Sequence, residues 1–287
     1  MSHQMAPWVP IFIQSVKNNS QSFTSFQLSS ISAVIQKDIH NQQSSISYRP
    51  KCRTVVFRDF LFHDKHSNII TFSTDLRSDK IDQLTEQPCF EACFYFSNTW
   101  EQFRLRGDVS FILSDGKYPN IISNICDHNN GNSGNDTVIN YPILSPSVCN
   151  HSKEKNGHPD IHHSTLVDDV DITEGYKPPE PFEWDLELKR QWNNLSRNAK
   201  AQYRRPEPGL PMSNELSKKL DKLSRGVDGV KEDIGFQNFA IVCLCIDEVD
   251  YLNLKDDGKS GAERWIFKRF IDEDTGIETW EEKEVCP

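Results

Sequence analysis

Apolar residues between positions 90 and 113 recur at every second place, and this alternation constrains the fold more than any other feature of the chain. Phe90, Ala92, Phe94 and Phe96 share one face of an extended segment, and Phe103, Leu105, Val109, Phe111 and Leu113 share one face of the next. A two-residue period is the signature of half-buried strands. Gln102, Arg104 and Arg106 then fall together on the opposite face.

Similar segments run through the rest of the sequence. Strands are expected over Ser22–Gln36, Arg53–Phe62 and Asn68–Thr74, with a polar gap before Tyr48. The C-terminal third adds Phe236–Cys245, Val249–Leu254, Arg264–Ile271 and Glu278–Val285, the last two joined by the turn-forming Asp272–Gly276. Helical spacing marks fewer places. Trp8, Ile11, Phe12, Ile13 and Val16 lie on one face, as do Leu76, Ile81 and Leu84 of a helix capped by Asp75 or Ser78 and ended by Pro88. Leu188, Trp192, Leu195, Ala199 and Tyr203 form a third helical face, broken at Pro206–Gly209, and Leu216, Leu220 and Leu223 a fourth.

Residues 114–181 change character, being dominated by Asn, Ser, Asp, His, Gly and Pro, and read as a disordered insertion inside one domain. The expected organisation is a first part of the fold in 1–113, the insertion in 114–181, and helices and strands in 182–287 that complete the same unit. About eight strands and few helices imply a mainly β, barrel-like core.

The 287 residues carry a formal net charge of −10, which argues against broad binding to nucleic acid or anionic membrane. Any anion site must be local. No run of eighteen apolar residues exists, and Trp8–Ile13 lacks the length and basic lead-in of a secretory signal, so the cytosol or nucleus is the expected location. Eight cysteines without a C-x-x-C pair suit free thiols in a reducing compartment.

The chemistry concentrates where strand gives way to helix. Arg53 offers a guanidinium fork for phosphate, and Lys80 a point charge near a helix start, where free backbone N–H groups also favour an anion. Thr74 and Ser78 supply hydroxyls beside them. The strand backbone at Val55, Val56 and Phe57 can lie along a flat ring, and Gln102 can read a polar ring edge with both donor and acceptor. Flavin mononucleotide (FMN) has that succession of groups: a dianionic phosphate, a hydroxylated chain and a flat ring with a polar edge.

These residues resemble the pyridoxamine 5′-phosphate oxidase-like family of FMN-binding split barrels. The resemblance rests on Ala6-Pro7-Trp8, Arg53-Thr54-Val55-Val56-Phe57-Arg58, Ser73-Thr74-Asp75 with Arg77-Ser78-Asp79-Lys80, Trp100 to Gly107, and Trp280 with Val285-Cys286-Pro287. It implies an antiparallel Greek-key split β-barrel that forms a homodimer, with flavin in clefts between the subunits. By matching positions, Arg53, Ser78 and Lys80 are expected at the phosphate and Thr74 at the ribityl phosphate end. Val55, Val56, Phe57 and Arg58 are expected along the ring, with Gln102 as the amide contact. Trp280 is either a member of the C-terminal signature or an aromatic that closes the core.

Two departures from the family pattern carry information. Ser78-Asp79-Lys80 stands where the family has Ser-Arg-Lys, leaving Arg77 as the expected substitute cation. The family's C-terminal Arg-x-His for substrate is Arg264-Trp265-Ile266 here, and its Arg-Pro substrate segment is Arg205-Pro206. Arg58, Arg205 and Arg264 are therefore the candidate anchors for an anionic small-molecule substrate. The expected function is an FMN-dependent oxidoreductase; the alternative is a flavin-binding protein without turnover whose insertion binds partners. No metal is expected, since His151, His158, His162 and His163 sit in an acidic loop without fixed ligand spacing. Glu278, Glu281, Glu282 and Glu284 read as a solvent face.

Overall fold

The computed structural model describes residues 5–19, 23–37, 44–116, 141, 143–147, 178–224, 232–255, 261–271 and 278–287. Eight strands make one antiparallel sheet: β1 (Ser25–Lys37), β2 (Ser44–Phe60), β3 (Ile69–Asp75), β4 (Cys89–Phe96), β5 (Glu101–Leu113), β6 (Phe239–Asn253), β7 (Glu263–Ile271) and β8 (Glu278–Val285). Their order is β3-β2-β1-β4-β5-β6-β7-β8, and an additional β3–β6 pairing closes the first six into a barrel. The order β4-β1-β2-β3 within it is a Greek key, the long return being made through helix α2 (Asp79–Glu86).

β6 is where the barrel splits. Its first half, Phe239–Cys245, pairs with β3, and its second half, Glu248–Asn253, pairs with β7, while β5 follows it along both. The register slips between Arg106 and Gly107, which bulges Asp247 out of the ladder. Glycine is required at that slip: a Cβ on Gly107 would sit 1.9 Å from the carbonyl oxygen of Cys245.

Two cores flank the sheet. Helix α1 (Trp8–Asn18) closes one end of the barrel by burying Trp8, Val9 and Phe12. The Phe12 ring stands edge-on to Phe57, Phe94 and Phe103 at 5.6, 5.0 and 5.5 Å, an arrangement favoured by the aromatic quadrupole. Helix α3 (Pro181–Asn193) covers the outside of β3 and β6 with Trp184, Leu188 and Trp192. Burial on both faces explains the unbroken apolar run Phe239–Ile246, in which Val242, Leu244 and Ile246 face the barrel core and Ile241, Cys243 and Cys245 face α3. Two further helices follow, α4 (Arg197–Gln202) and α5 (Asn214–Ser224).

Several boundaries differ from those read in the sequence. β2 begins at Ser44, inside the polar gap, because its early residues pair with the far end of β1. Beyond Ser30 on β1 and before Phe57 on β2, the described strands pair only with each other. The result is a two-stranded ribbon whose Ile31, Ile46 and Tyr48 are 36%, 62% and 61% exposed. Helix α2 starts at Asp79, and the helix expected through Tyr203 breaks at Ser196, whose hydroxyl caps α4 by accepting from Ala199 N–H at 3.2 Å. The two strands expected between Phe236 and Leu254 are one, since Glu248 faces outward to Arg106 at 2.5 Å instead of ending the strand. Most of 114–181 lies outside the described residues, as do all four histidines of the loop. Tyr141, Ile143 and Leu144 from that segment are buried.

Candidate functional site

The turn from β3 into α2 is built by local hydrogen bonds. Asp75 accepts from the Arg77 backbone N–H at 2.9 Å, and the Ser78 hydroxyl donates to the Asp75 carbonyl at 2.6 Å. Arg77 itself grips Asp75 through Nε and Nη2 at 3.0 and 2.7 Å and donates to the Arg205 carbonyl at 3.0 Å. The expectation that Arg77 replaces the missing phosphate cation is therefore corrected: its charge is neutralised by Asp75, and it staples the turn to the segment after α4. Asp79, where the family has arginine, is exposed at the first position of α2 and complements the helix dipole.

Lys80 folds back over this turn. Its Nζ donates to Thr74 Oγ1 and to Ser78 Oγ, both at 2.9 Å. Across from it, Arg53 Nη1 donates to Ser30 Oγ at 2.7 Å and to the Leu28 carbonyl at 3.4 Å, while Nη2 donates to Gln83 Oε1 on α2. Burial lowers the Lys80 ammonium's pKa, and the neighbouring Arg53 charge lowers it further against Asp75 and Asp79. Burial likewise lowers the pKa of Arg53. The structure thus brings Arg53, Thr74, Ser78 and Lys80 together where β2 and β3, paired from Phe57/Phe72 through Phe60/Ile70, have parted.

What distinguishes this pair is the nature of its partners. Arg77, Arg104, Arg106, Arg190, Arg264 and Arg269 each face a carboxylate. Among the described residues, Arg53 and Lys80 make no ion pair and bond only to hydroxyl, amide and carbonyl oxygens. Two half-buried like charges without a counter-ion are costly on their own and suit a dianion. A phosphate monoester fits this donor set.

The remaining candidates spread along the sheet. Val55 and Phe57 turn their side chains into the barrel core, so their backbone is what a ligand can meet; before Phe57, the β2 edge opposite β1 has no strand partner among the described residues. Val56 and Gln102 are half-buried and belong to the outward-facing sets of β2 and β5. Those two strands stand three of six places apart in the closed barrel, so their outward faces point away from each other and one chain does not bring Val56 and Gln102 together. Arg58 Nε donates to Ser73 Oγ at 3.1 Å, and Tyr203 joins them: burial raises its phenol pKa, opposed by the Ser73 hydrogen bond and the Arg58 charge.

The substrate candidates Arg205 and Arg264 have different surroundings. Arg205 is exposed and borders a cavity of about 430 Å³ shared with Asp75, Gln202, Leu210 and Met212. Arg264 forks onto Asp250 at 2.9 and 2.8 Å, and Arg104 holds the same carboxylate. Burial would raise the Asp250 pKa, but both arginines outweigh it and keep the group ionised below its usual range. Trp280 packs on the core 6.5 Å from Trp8 and donates to Glu278 at 3.1 Å, the role of a closing aromatic. Among the described residues no cluster of three or more metal-ligating side chains occurs, and no helix is long and apolar enough to cross a membrane.

Ser30 and Gln83 escaped the sequence reading. Gln83 lies three residues after Lys80, hence on the same helix face, and that spacing is a usable signal. Ser30 carries none, because its place depends on the β1–β2 register that sets it opposite Lys51.

A family model described as pyridoxamine 5′-phosphate oxidase, FMN-binding domain, matches residues 5–113, which contain every member of the Arg53–Lys80 cluster. The chain is 43% identical over 314 aligned residues to the uncharacterized protein YGR017W of Saccharomyces cerevisiae, with all of both chains covered. It is 39% identical over 114 residues to pyridoxine/pyridoxamine 5′-phosphate oxidase 2 of Arabidopsis thaliana, a match that takes in 39% of this chain and 50% of that relative. Among solved structures, a pyridoxamine 5′-phosphate oxidase-related, FMN-binding protein of Nostoc punctiforme superposes with a TM-score of 0.57 at 23% identity, over 99% of this chain and 100% of the other. PhzG of Burkholderia lata, solved with tetrahydrophenazine-1-carboxylic acid, superposes with a TM-score of 0.50 at 12% identity, over 97% and 90% of the two chains. At these identities the two structures establish the fold.

Proposed function

Since the chain belongs to the pyridoxamine 5′-phosphate oxidase FMN-binding family, we propose that it binds FMN with the phosphate between Arg53 and Lys80 and serves as an FMN-dependent oxidoreductase for a small, anionic substrate. The observation that carries this reading is the half-buried pair of cations whose partners are all neutral oxygens. Thr74 and Ser78 orient the Lys80 ammonium toward the same point, and the open edge of β2 at Val55–Val56 leaves backbone groups for a ring, which Gln102, on the opposite wall of the barrel, would meet only from the partner subunit of the dimer proposed below. Bound flavin supplies a hydride acceptor, so no nucleophilic side chain is required. The chain's part is to fix the cofactor and to bring the substrate to it, with Arg58 and Arg205 as anion anchors and Arg264 available once Asp250 lets it go.

Two accompanying proposals concern context. A homodimer with flavin at the subunit interface is supported by the exposed apolar face of the β1–β2 ribbon, because an isolated two-stranded ribbon is marginal in water. A cytosolic or nuclear location is supported by the cysteines at 52, 89, 93, 243, 245 and 286, all free thiols.

A second reading, flavin binding without turnover, is favoured by one observation: Arg264, at the position of the family's substrate arginine, is already neutralised by Asp250. Purified protein that is yellow and releases FMN on denaturation supports the site, whereas colourless protein indifferent to added FMN refutes it. Anaerobic single turnover with pyridoxine 5′-phosphate separates the two readings, bleaching of the flavin indicating the enzyme and tight binding without bleaching the binding protein.

A further inference from the structure

We infer that Gln83 and Ser30 are positioning residues that hold the Arg53 fork, still fully charged, beside Lys80; the inference rests on the phosphate reading of that pair. The three side chains close a ring of hydrogen bonds. Arg53 Nη1 donates to Ser30 Oγ at 2.7 Å, the Ser30 hydroxyl donates to Gln83 Oε1 at 3.2 Å, and Arg53 Nη2 donates to the same Gln83 oxygen. Because arginine has no acceptor, the Gln83 atom in this ring must be the amide oxygen.

The choice of acceptors is informative. Six other arginines among the described residues are fixed by carboxylates, as Arg77 is by Asp75 and Arg264 by Asp250, while the exposed Arg58 meets the Ser73 hydroxyl. Such a bond orients the side chain and cancels its charge together. An amide oxygen and a hydroxyl orient without cancelling. Nη1 is committed to Ser30 and Leu28 and one Nη2 hydrogen to Gln83; among the described residues the Nε–H and the second Nη2–H have no partner. Those donors remain for an anion, on a guanidinium whose rotamer freedom has been surrendered before the ligand arrives.

Gln83 also settles where the two charges stand. Lys80 and Gln83 are one helical turn apart on α2, so a single helix carries one cation and the group that tethers the other. Burial lowers the Lys80 pKa and the Arg53 charge lowers it further, since the two cations repel. Without the tether, Arg53 is free to swing away toward solvent. Ser30, 3% exposed, is the fixed post behind both.

The test uses the full-length protein stripped of flavin and titrated separately with FMN and with riboflavin, which lacks the phosphate. Gln83→Ala is expected to weaken FMN binding about tenfold while leaving riboflavin binding unchanged. Gln83→Glu keeps the bond to Arg53 but adds an anion, so FMN binding should fall further than in Gln83→Ala, with the thermal midpoint retained. Ser30→Ala should behave as Gln83→Ala. The inference is overturned if Gln83→Ala binds FMN like the wild type, if FMN and riboflavin affinities fall together, or if Gln83→Glu binds FMN better than Gln83→Ala. Wild-type protein that binds neither flavin sinks the phosphate reading itself, and this inference with it; wild-type binding with an indifferent Gln83→Ala sinks the inference alone.

Discussion

Lys80→Met keeps the aliphatic stem of residue 80 and removes its charge, and the site's geometry predicts opposite effects on cofactor binding and on the stability of the flavin-free protein. The ammonium is held by two neutral hydroxyls at 2.9 Å, and burial and Arg53 both lower its pKa from the ordinary lysine value of 10.5. A lysine lowered in the folded state weakens the fold at every pH below its folded pKa, and the penalty is relieved as pH rises toward 10.5. Lys80 is also the second residue of α2, where a positive charge opposes the helix dipole by about 0.3–1 kcal/mol. The Thr74 and Ser78 hydroxyls already share a hydrogen bond at 3.4 Å, which remains once the amine is gone. The flavin-free variant should then melt at the wild-type temperature or up to about 4 °C above it. FMN affinity should fall roughly ten- to a hundredfold, the worth of one charge-assisted hydrogen bond of about 1.5–3 kcal/mol. Calorimetry without and with FMN reads both quantities. A flavin-free midpoint lowered by several degrees, or unaltered FMN affinity, would refute the argument that this cation is kept at a cost to the fold for the sake of a ligand.

Gly107→Ala should destabilise the protein by about 3 kcal/mol or more, seen as loss of cooperative melting or of soluble yield, because the new methyl would lie 1.9 Å from the Cys245 carbonyl oxygen. Asp250→Asn should cost about 1–3 kcal/mol at neutral pH by leaving Arg104 and Arg264 side by side, discounted for their partial exposure. Since the Asp250 pKa is held below 3.8, its contribution is present above that value and lost as pH falls through the depressed pKa, so wild type and variant should converge in denaturant titrations below pH 3.8. Ile46→Lys on the ribbon should shift the particle from twice 33.1 kDa to a single chain in light scattering; a wild type that is already monomeric contradicts the dimer proposal.

The gathering of Arg53, Thr74, Ser78 and Lys80 was legible because its parts are local: Thr74, Ser78 and Lys80 lie within one strand-to-helix turn, and Arg53 stands out as a cation on an alternating strand. The mainly β Greek-key barrel followed from the same alternation, and strands from both sides of the insertion do meet, β6 with β3 and β5. What stayed hidden depends on long-range pairing. Arg77 looks like a free cation until Asp75 and the Arg205 carbonyl are seen around it. Asp247-Glu248 reads as a break between strands, yet Glu248 is an outward partner of Arg106 and Lys268, and Asp247 is lifted out by the slip at Gly107 to meet Arg269. Ser44–Pro50 reads as loop because nothing in its own composition discloses that β1 is long enough to receive it.

The union of β3 with β6 also fixes an order of events. Ile69 lies opposite Cys245, partners 176 positions apart, so closing that ladder means closing a very long loop, a slow and entropically expensive step. During synthesis the turn bearing Thr74, Ser78 and Lys80 emerges early, but one margin of the strand leading into it stays bare until the distant segment arrives, and a bare margin invites mispairing with other chains. Capture of a phosphorylated cofactor there would mark a barrel whose assembly has finished, and could not serve as a template for beginning it.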